Sequence, residues 1–178
     1  ATRLMAIDEG DHSPELRDAP FVAPIAAVVR ERASLFSIIR KQDVLLHHPY
    51  QSFTPVIDFI TQAALDPDVV AIKQTVYRTS ADSALMEALI TAARTGKNVT
   101  VVVELMARFD EEANLRWGEQ LEKAGIVVRY SFPGLKVHSK LALVRRLEPD
   151  GPQLYSYLST GNFHEVTARI YSDQGLFT

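Results

Sequence analysis

Cysteine is absent from these 178 residues, which excludes disulfide staples, zinc–thiolate centres and cysteine nucleophiles and fits a reducing compartment. No apolar run approaches the roughly 20 residues of a membrane-spanning helix, and no signal-peptide pattern opens the chain. A basic field is missing as well. With 19 Lys and Arg against 22 Asp and Glu the net charge is −3, so any anion site has to be built locally. What is present, 47% hydrophobic and 23% charged residues, is the composition of one globular domain with one real core. The chain opens on Ala1 and stops at Thr178 directly after a strongly patterned segment, so it reads as a piece of a longer protein.

Residues 1–41 differ from the rest. Pro14, Pro20 and Pro24 interrupt any pattern, and we expect a lead-in with one short helix near 25–33. From 42 to 178 the signals are regular. Val44 to His48, Val69 to Tyr77, Val99 to Leu105 and Ile126 to Tyr130 read as strands. Between them lie helical patterns: one opened by the Thr54 hydroxyl and Pro55, one capped by Asp82 and ended by Gly96, one capped by Asp110 and ended by Gly125. Val137–Val144 and Tyr155–Leu158 are further strands around a turn at Glu148–Gly151. Asn162 with Glu165 has the form of a capping box opening a last helix. The order predicts an α/β fold with a mixed, largely parallel sheet flanked by helices.

Position then singles out candidates. Arg78 and Arg108 each follow a strand and precede a helix, thirty residues apart. In open α/β sheets the ligand crevice lies outside the carboxyl ends of the strands, and two guanidiniums there suit phosphate oxygens. Surface pairing with Asp82, Asp110 or Glu111 is the plainer alternative. His138 and Lys140, two apart in a strand, would project together while Leu141 and Leu143 enter the core. An imidazole beside an ammonium can attack phosphorus while the cation neutralises an oxygen; a solvated His-x-Lys is the plainer alternative. Ser159-Thr160-Gly161-Asn162 follows a strand, where backbone amides and Asn162 can hold another oxygen or simply cap a helix. The adjacent His47 and His48 point to opposite strand faces and argue against metal. No partner is evident for His12 or His164.

His138, Lys140, Gly161 and Asn162 together resemble one half of the phospholipase D-type motif, His-x-Lys followed by Gly and Asn. Arg145 stands where that motif carries an acidic residue, which argues against ordinary phosphodiesterase chemistry. Longer segments extend the likeness: Asp43–Phe53 with His47-His48-Pro49-Tyr50, Ile72–Arg78, Ala107–Asn114, Gly134–Lys140 and Thr160–Phe163. In this order and spacing they resemble the bacterial polyphosphate kinases that have two phospholipase D-like halves, and the chain is similar to the first of their two catalytic C-terminal domains.

The resemblance implies that His138 is the histidine phosphorylated by ATP and that Arg78 and Arg108 lie at the phosphate and magnesium end of the site. It implies that Tyr171 helps to bind ATP and, by way of the phospholipase D motif, that Lys140 and Asn162 hold phosphate. Met106 departs from the polar or charged residue expected before Ala107-Arg108. The implied cofactor is Mg²⁺. The implied partners are ATP or ADP, inorganic polyphosphate and a second catalytic domain, in a full enzyme that is a homo-oligomer, without nucleic acid. The implied setting is cytoplasmic or peripheral to the inner membrane. Lys73, Lys97, Lys136, Arg145 and Arg146 are candidates to line a local channel. Two other readings stand beside this one: a phosphodiesterase half-domain, and a non-catalytic module that grips polyanions.

Overall fold

A computed structural model of the chain describes residues 18–30, 34–77, 83–104, 111–132 and 134–178, with only the backbone over 111–113. The strands are β1 Val44–His48, β2 Val69–Val76, β3 Asn98–Val103, β4 Val127–Tyr130, β5 Lys140–Glu148, β6 Gly151–Ser159 and β7 Asp173–Phe177. The helices are α1 Ala27–Arg30, α2 Leu35–Ile39, α3 Thr54–Leu65, α4 Ala84–Arg94 and α5 Glu111–Lys123. No helix among the described residues is long and apolar enough to cross a membrane.

Local chemistry explains most boundaries. Pro55 sits in the first turn of α3, where its missing N–H costs nothing. The Thr54 hydroxyl does not cap that helix: Phe53 is the N-cap residue, and the Thr54 N–H goes to Ser52 Oγ at 3.1 Å. For α4 the cap is Ser83, whose side chain accepts from the Met86 N–H. Asp82 and Asp110, expected as caps, lie outside the described residues. Gly96 and Gly125, at φ +86° and +84°, turn the chain out of α4 and α5 in the left-handed region that glycine enters without strain.

The sheet order is β1-β7-β6-β5-β2-β3-β4. The mixed α/β fold is as expected, but the sheet is not largely parallel. Only β2–β3 and β3–β4 pair in parallel, while the other four pairings are antiparallel. The cause is the connection after β4. Among the described residues no crossover helix follows it; the chain instead doubles back through β5 and β6, paired Glu148 to Gly151 around the two residues Pro149 and Asp150. A two-residue loop permits only antiparallel pairing. The expected helix after Asn162 is reduced to a 3-10 turn at Thr167–Arg169. Glu165 does not close a capping box; its Oε1 accepts the Ala84 N–H at 3.1 Å instead, tying this turn to the start of α4.

One cross-strand row defines the core. Val44, Phe177, Tyr157, Ala142, Gln74, Val101 and Val128 are successive partners across all seven strands, and every one is buried. Helix α3 packs beside α4 and α4 beside α5 over this face, with α2 adding Phe36 against Phe59 and Tyr155. Full burial of a Leu, Phe or Ile side chain contributes roughly 1.5–3 kcal/mol, so Leu46, Phe59, Ile60, Ile72 and Leu89 anchor the layer. The strand residues in between face the other way, where Leu45, Leu154 and Leu158 stay exposed.

Candidate functional site

One edge of the sheet gathers the chemistry. Stepping from the buried row toward the carboxyl ends of the parallel strands, the next same-face row carries Lys140 opposite Ser159, and Ser159 opposite Gly175. One step further, His48 faces Asp173. Tyr77 leaves β2 at this edge, Glu104 follows β3, Ser131 follows β4, and Thr160 follows β6.

His138 does not lie in a strand, because β5 begins only at Lys140. The pair meets nonetheless. Lys140 Nζ is 3.2 Å from His138 Nε2 and donates to the His138 carbonyl at 2.7 Å. An ammonium has donors only, so in this contact Nε2 accepts. The Tyr77 ring stands edge-on to the imidazole at 5.1 Å, and Lys140 Nζ lies 5.1 Å from the Tyr77 ring centre. His138 itself is exposed, whereas Lys140 is only 6% exposed. Burial pulls the Lys140 pKa below its ordinary value, and the negative charge of Asp173 partly offsets this. The expectation that Leu141 and Leu143 enter the core is reversed: Ala142 and Val144 do, on the face of Lys140, and the leucines are half-buried on the other.

At the end of β6, Thr160 Oγ1 donates to Asp173 Oδ1 at 2.8 Å, and the Gly161 N–H is held by Ser159 Oγ at 3.0 Å. The Thr160 N–H pairs with the Gln174 carbonyl, so these two amides are already engaged. Gly161 is demanded by proximity: a Cβ there would stand 2.5 Å from Asp173 Oδ2. Asn162 is half-buried, and its Oδ1 is buried without a partner among the described residues. Tyr171 is 62% exposed on the turn leading into β7.

Arg78, Arg108 and Met106 lie outside the described residues, although the residues before their segments, Tyr77 and Glu104, are at this edge. Of the five proposed channel cations, only Lys136, in the approach to His138, is near it. Lys97 is tied to the Asp66 and Val69 carbonyls, and Arg146 pairs with Asp66, Asp68 and Glu148. Lys73 pairs mid-sheet on the uncovered face, and Arg145 lies exposed toward the hairpin.

The other histidines among the described residues have local contacts, and His12 lies outside the described residues. His48 is buried, its Nδ1 2.8 Å from the Gln51 carbonyl, and burial lowers its pKa. His47 stacks edge-on to Tyr50, and His164 Nδ1 accepts the Thr167 N–H.

Three residues of the edge were not picked out from sequence. Glu104 is fully buried and accepts from the Val137 N–H at 2.6 Å and from Ser131 Oγ at 3.1 Å. Asn114, also fully buried, donates to the Glu104 and Tyr77 carbonyls. Asp173 faces both Lys140 and His48. A charge ending the β-branched run Val99–Val103, and an amide just ahead of the inward Trp117, were the available signals for the first two.

A family profile described as polyphosphate kinase C-terminal domain 1 matches residues 34–178. A polyphosphate kinase of Burkholderia ambifaria is 53% identical over 180 residues, covering 99% of this chain and 26% of that protein. The chain therefore spans about a quarter of the length of the curated relatives it matches. Among solved structures, polyphosphate kinase from Porphyromonas gingivalis superimposes with a TM-score of 0.75 and 49% identity, over 87% of this chain and 26% of that one. The phospholipase D family member Nuc from Salmonella typhimurium gives 0.55 at 16% identity, over 76% and 81%, a likeness of fold.

Proposed function

The chain belongs to the polyphosphate kinase C-terminal domain 1 family, and from that premise we propose that it carries the phosphoryl-accepting half of an ATP:polyphosphate phosphotransferase. The observation that carries the reading is the exposed His138 imidazole with Lys140 Nζ at 3.2 Å, held at the strand-end edge where α/β sheets bind ligands.

In the first step a His138 ring nitrogen attacks the γ-phosphorus of ATP, the bond to the β-phosphate oxygen breaks, and ADP leaves. In the second, a terminal oxygen of polyphosphate attacks the same phosphorus, the N–P bond breaks, and the chain is one unit longer. Both steps run in either direction. If Nε2 is the nucleophile, the entering phosphorus takes the place now held by Lys140, whose ammonium then moves onto an equatorial phosphoryl oxygen. Tyr77 limits the tilt of the ring. Arg78, Arg108 and Asn162 would hold further oxygens, and Tyr171 would meet the nucleotide.

Among the described residues no three His, Asp or Glu side chains come together to hold a metal ion. We propose that Mg²⁺ arrives on the nucleotide phosphates, and the guanidiniums of Arg78 and Arg108, being cations, would contact those oxygens and not the metal. The remaining three quarters of the enzyme, including a second catalytic domain, would complete the nucleotide pocket in a cytoplasmic homo-oligomer.

The test is phosphohistidine formation by the full-length protein with γ-labelled ATP. Acid-labile label should map to the peptide containing His138, and His138→Ala should abolish both label and turnover. Turnover retained in that variant removes the assignment. Hydrolysis of a model phosphodiester without protein labelling would favour the phosphodiesterase reading.

A further inference from the structure

We propose that Glu104 is a positioning residue for phosphoryl transfer, holding the His138 ring in its attacking orientation through the backbone of Val137. The proposal rests on the reading of His138 as the phosphoryl acceptor. Glu104 is fully buried, and nothing in the two-step reaction uses it as an acid or base. Its carboxylate instead clips the segment that delivers the histidine. Oε2 accepts the Val137 N–H at 2.6 Å, one residue before His138, and Oε1 accepts the Ser131 hydroxyl at 3.1 Å, where that segment leaves β4. Ser131, just after β4, and Val137, just before His138, are thus tied to one side chain.

The side chain is anchored in turn. The Glu104 N–H donates to the Val76 carbonyl at 2.9 Å. Asn114 Nδ2 donates to the Glu104 carbonyl at 2.8 Å and the Tyr77 carbonyl at 3.0 Å. The ends of β2 and β3 are therefore locked together, and Tyr77, whose ring edges His138, is fixed by the same amide. Two routes from this cluster converge on the imidazole, one through Val137 and one through Tyr77. A charge-assisted bond of this length in a buried place restrains the backbone tightly. A nucleophile misplaced by about 1 Å can lose about 10²-fold in rate.

The experiment compares Glu104→Gln with Glu104→Asp in the full-length protein. Glutamine keeps the reach: its oxygen can accept from Val137, and its NH₂ can donate to Ser131 Oγ. Aspartate keeps the charge but is one methylene short. A positioning role predicts that Glu104→Gln retains kcat within about threefold, whereas Glu104→Asp loses about 10²-fold in kcat with KM for ATP within about threefold. Rates are taken per folded molecule, with Tm measured alongside. The proposal is overturned if Glu104→Asp keeps the wild-type kcat, if Glu104→Gln is the worse variant, or if the loss falls in KM. Should Glu104→Asp fail to fold, Glu104→Gln still decides, since a kcat below about a tenth of wild type there also overturns it. His138→Ala runs in parallel. An active His138→Ala defeats the reading of the nucleophile itself, whereas an inactive one beside a fully active Glu104→Asp defeats only the role of Glu104.

Discussion

Replacing Lys140 by methionine separates catalysis from folding, because the two effects differ in size. The side chain is 6% exposed and its ammonium makes three contacts: the His138 carbonyl at 2.7 Å, Nε2 at 3.2 Å and the Tyr77 ring at 5.1 Å. A hydrogen bond to a charged group contributes roughly 1.5–3 kcal/mol and the ring contact about 1 kcal/mol. Against this stands the cost of burying the ammonium, which the lowered pKa records. Methionine keeps the methylenes, and exposed His138 can turn to water, so the terms nearly cancel and stability should change by about 1 kcal/mol or less. That corresponds to about 3 °C in apparent Tm. Under the proposed mechanism the same ammonium would face developing phosphoryl charge, and removing one such preorganised group costs about 10²–10³ in rate, roughly 3 kcal/mol. The assay is a quenched-flow single turnover with γ-labelled ATP, following protein-bound phosphate in the full-length protein and scanning Tm on the same preparations. A rate within about threefold of wild type would show that Lys140 is not at the transferred group. A rate loss matched by a fall of about 10 °C would show a structural role, and either result refutes the reasoning.

Burial raises Tyr155 and Tyr157 each to about 12 from an ordinary value of 10. The folded state therefore keeps these protons longer than the unfolded chain, so their contribution is complete below pH 10 and lost as pH climbs from 10 to about 12, by up to about 3 kcal/mol each. Denaturant midpoints from pH 9 to 11.5 should fall, and Tyr155→Phe and Tyr157→Phe should each remove part of that slope; identical slopes in wild type and both variants would contradict it. Gly161→Ala should cost about 1–3 kcal/mol, because the new methyl would meet Asp173 Oδ2 at 2.5 Å and Asp173 Cβ at 2.8 Å. An unchanged denaturation midpoint would mean that the two segments separate freely.

Much of this protein is readable from local chemistry. Pro55 starts a helix, Gly96 and Gly125 end two others, and Val99–Val103 is a strand because β-branched side chains suit a pleated, half-buried surface. The sequence motifs around His138 and Lys140 were likewise enough to mark the pair, since residue type and spacing are written in the chain. Contacts between segments distant in sequence were not legible. The hairpin turn at Glu148–Gly151 was legible, but the antiparallel majority of the sheet also depends on β5 docking against β2 and on where β7 and β1 dock, and no local propensity encodes those pairings. Glu165 looked like a capping residue because its spacing from Asn162 is right, yet it bonds to Ala84, 81 residues away. Lys97 and Arg146 looked free for phosphate because a sequence shows charges without their partners, and the fold commits both elsewhere.

By itself, then, the sequence determined most of the elements and their order, though not β7 or the shrinking of the last helix to a 3-10 turn, and it marked side chains whose chemistry suits phosphoryl transfer, all properties of a residue and its near neighbours. The tertiary structure alone decided that the ends of β2, β3, β4 and β6 and the starts of β5 and β7 share one edge. It alone set Lys140 against His138 although only one of them is in a strand, and set Glu104 beneath Val137, 33 residues on. The physical reason is that a buried carboxylate must find donors wherever packing brings them, and packing is a property of the whole chain.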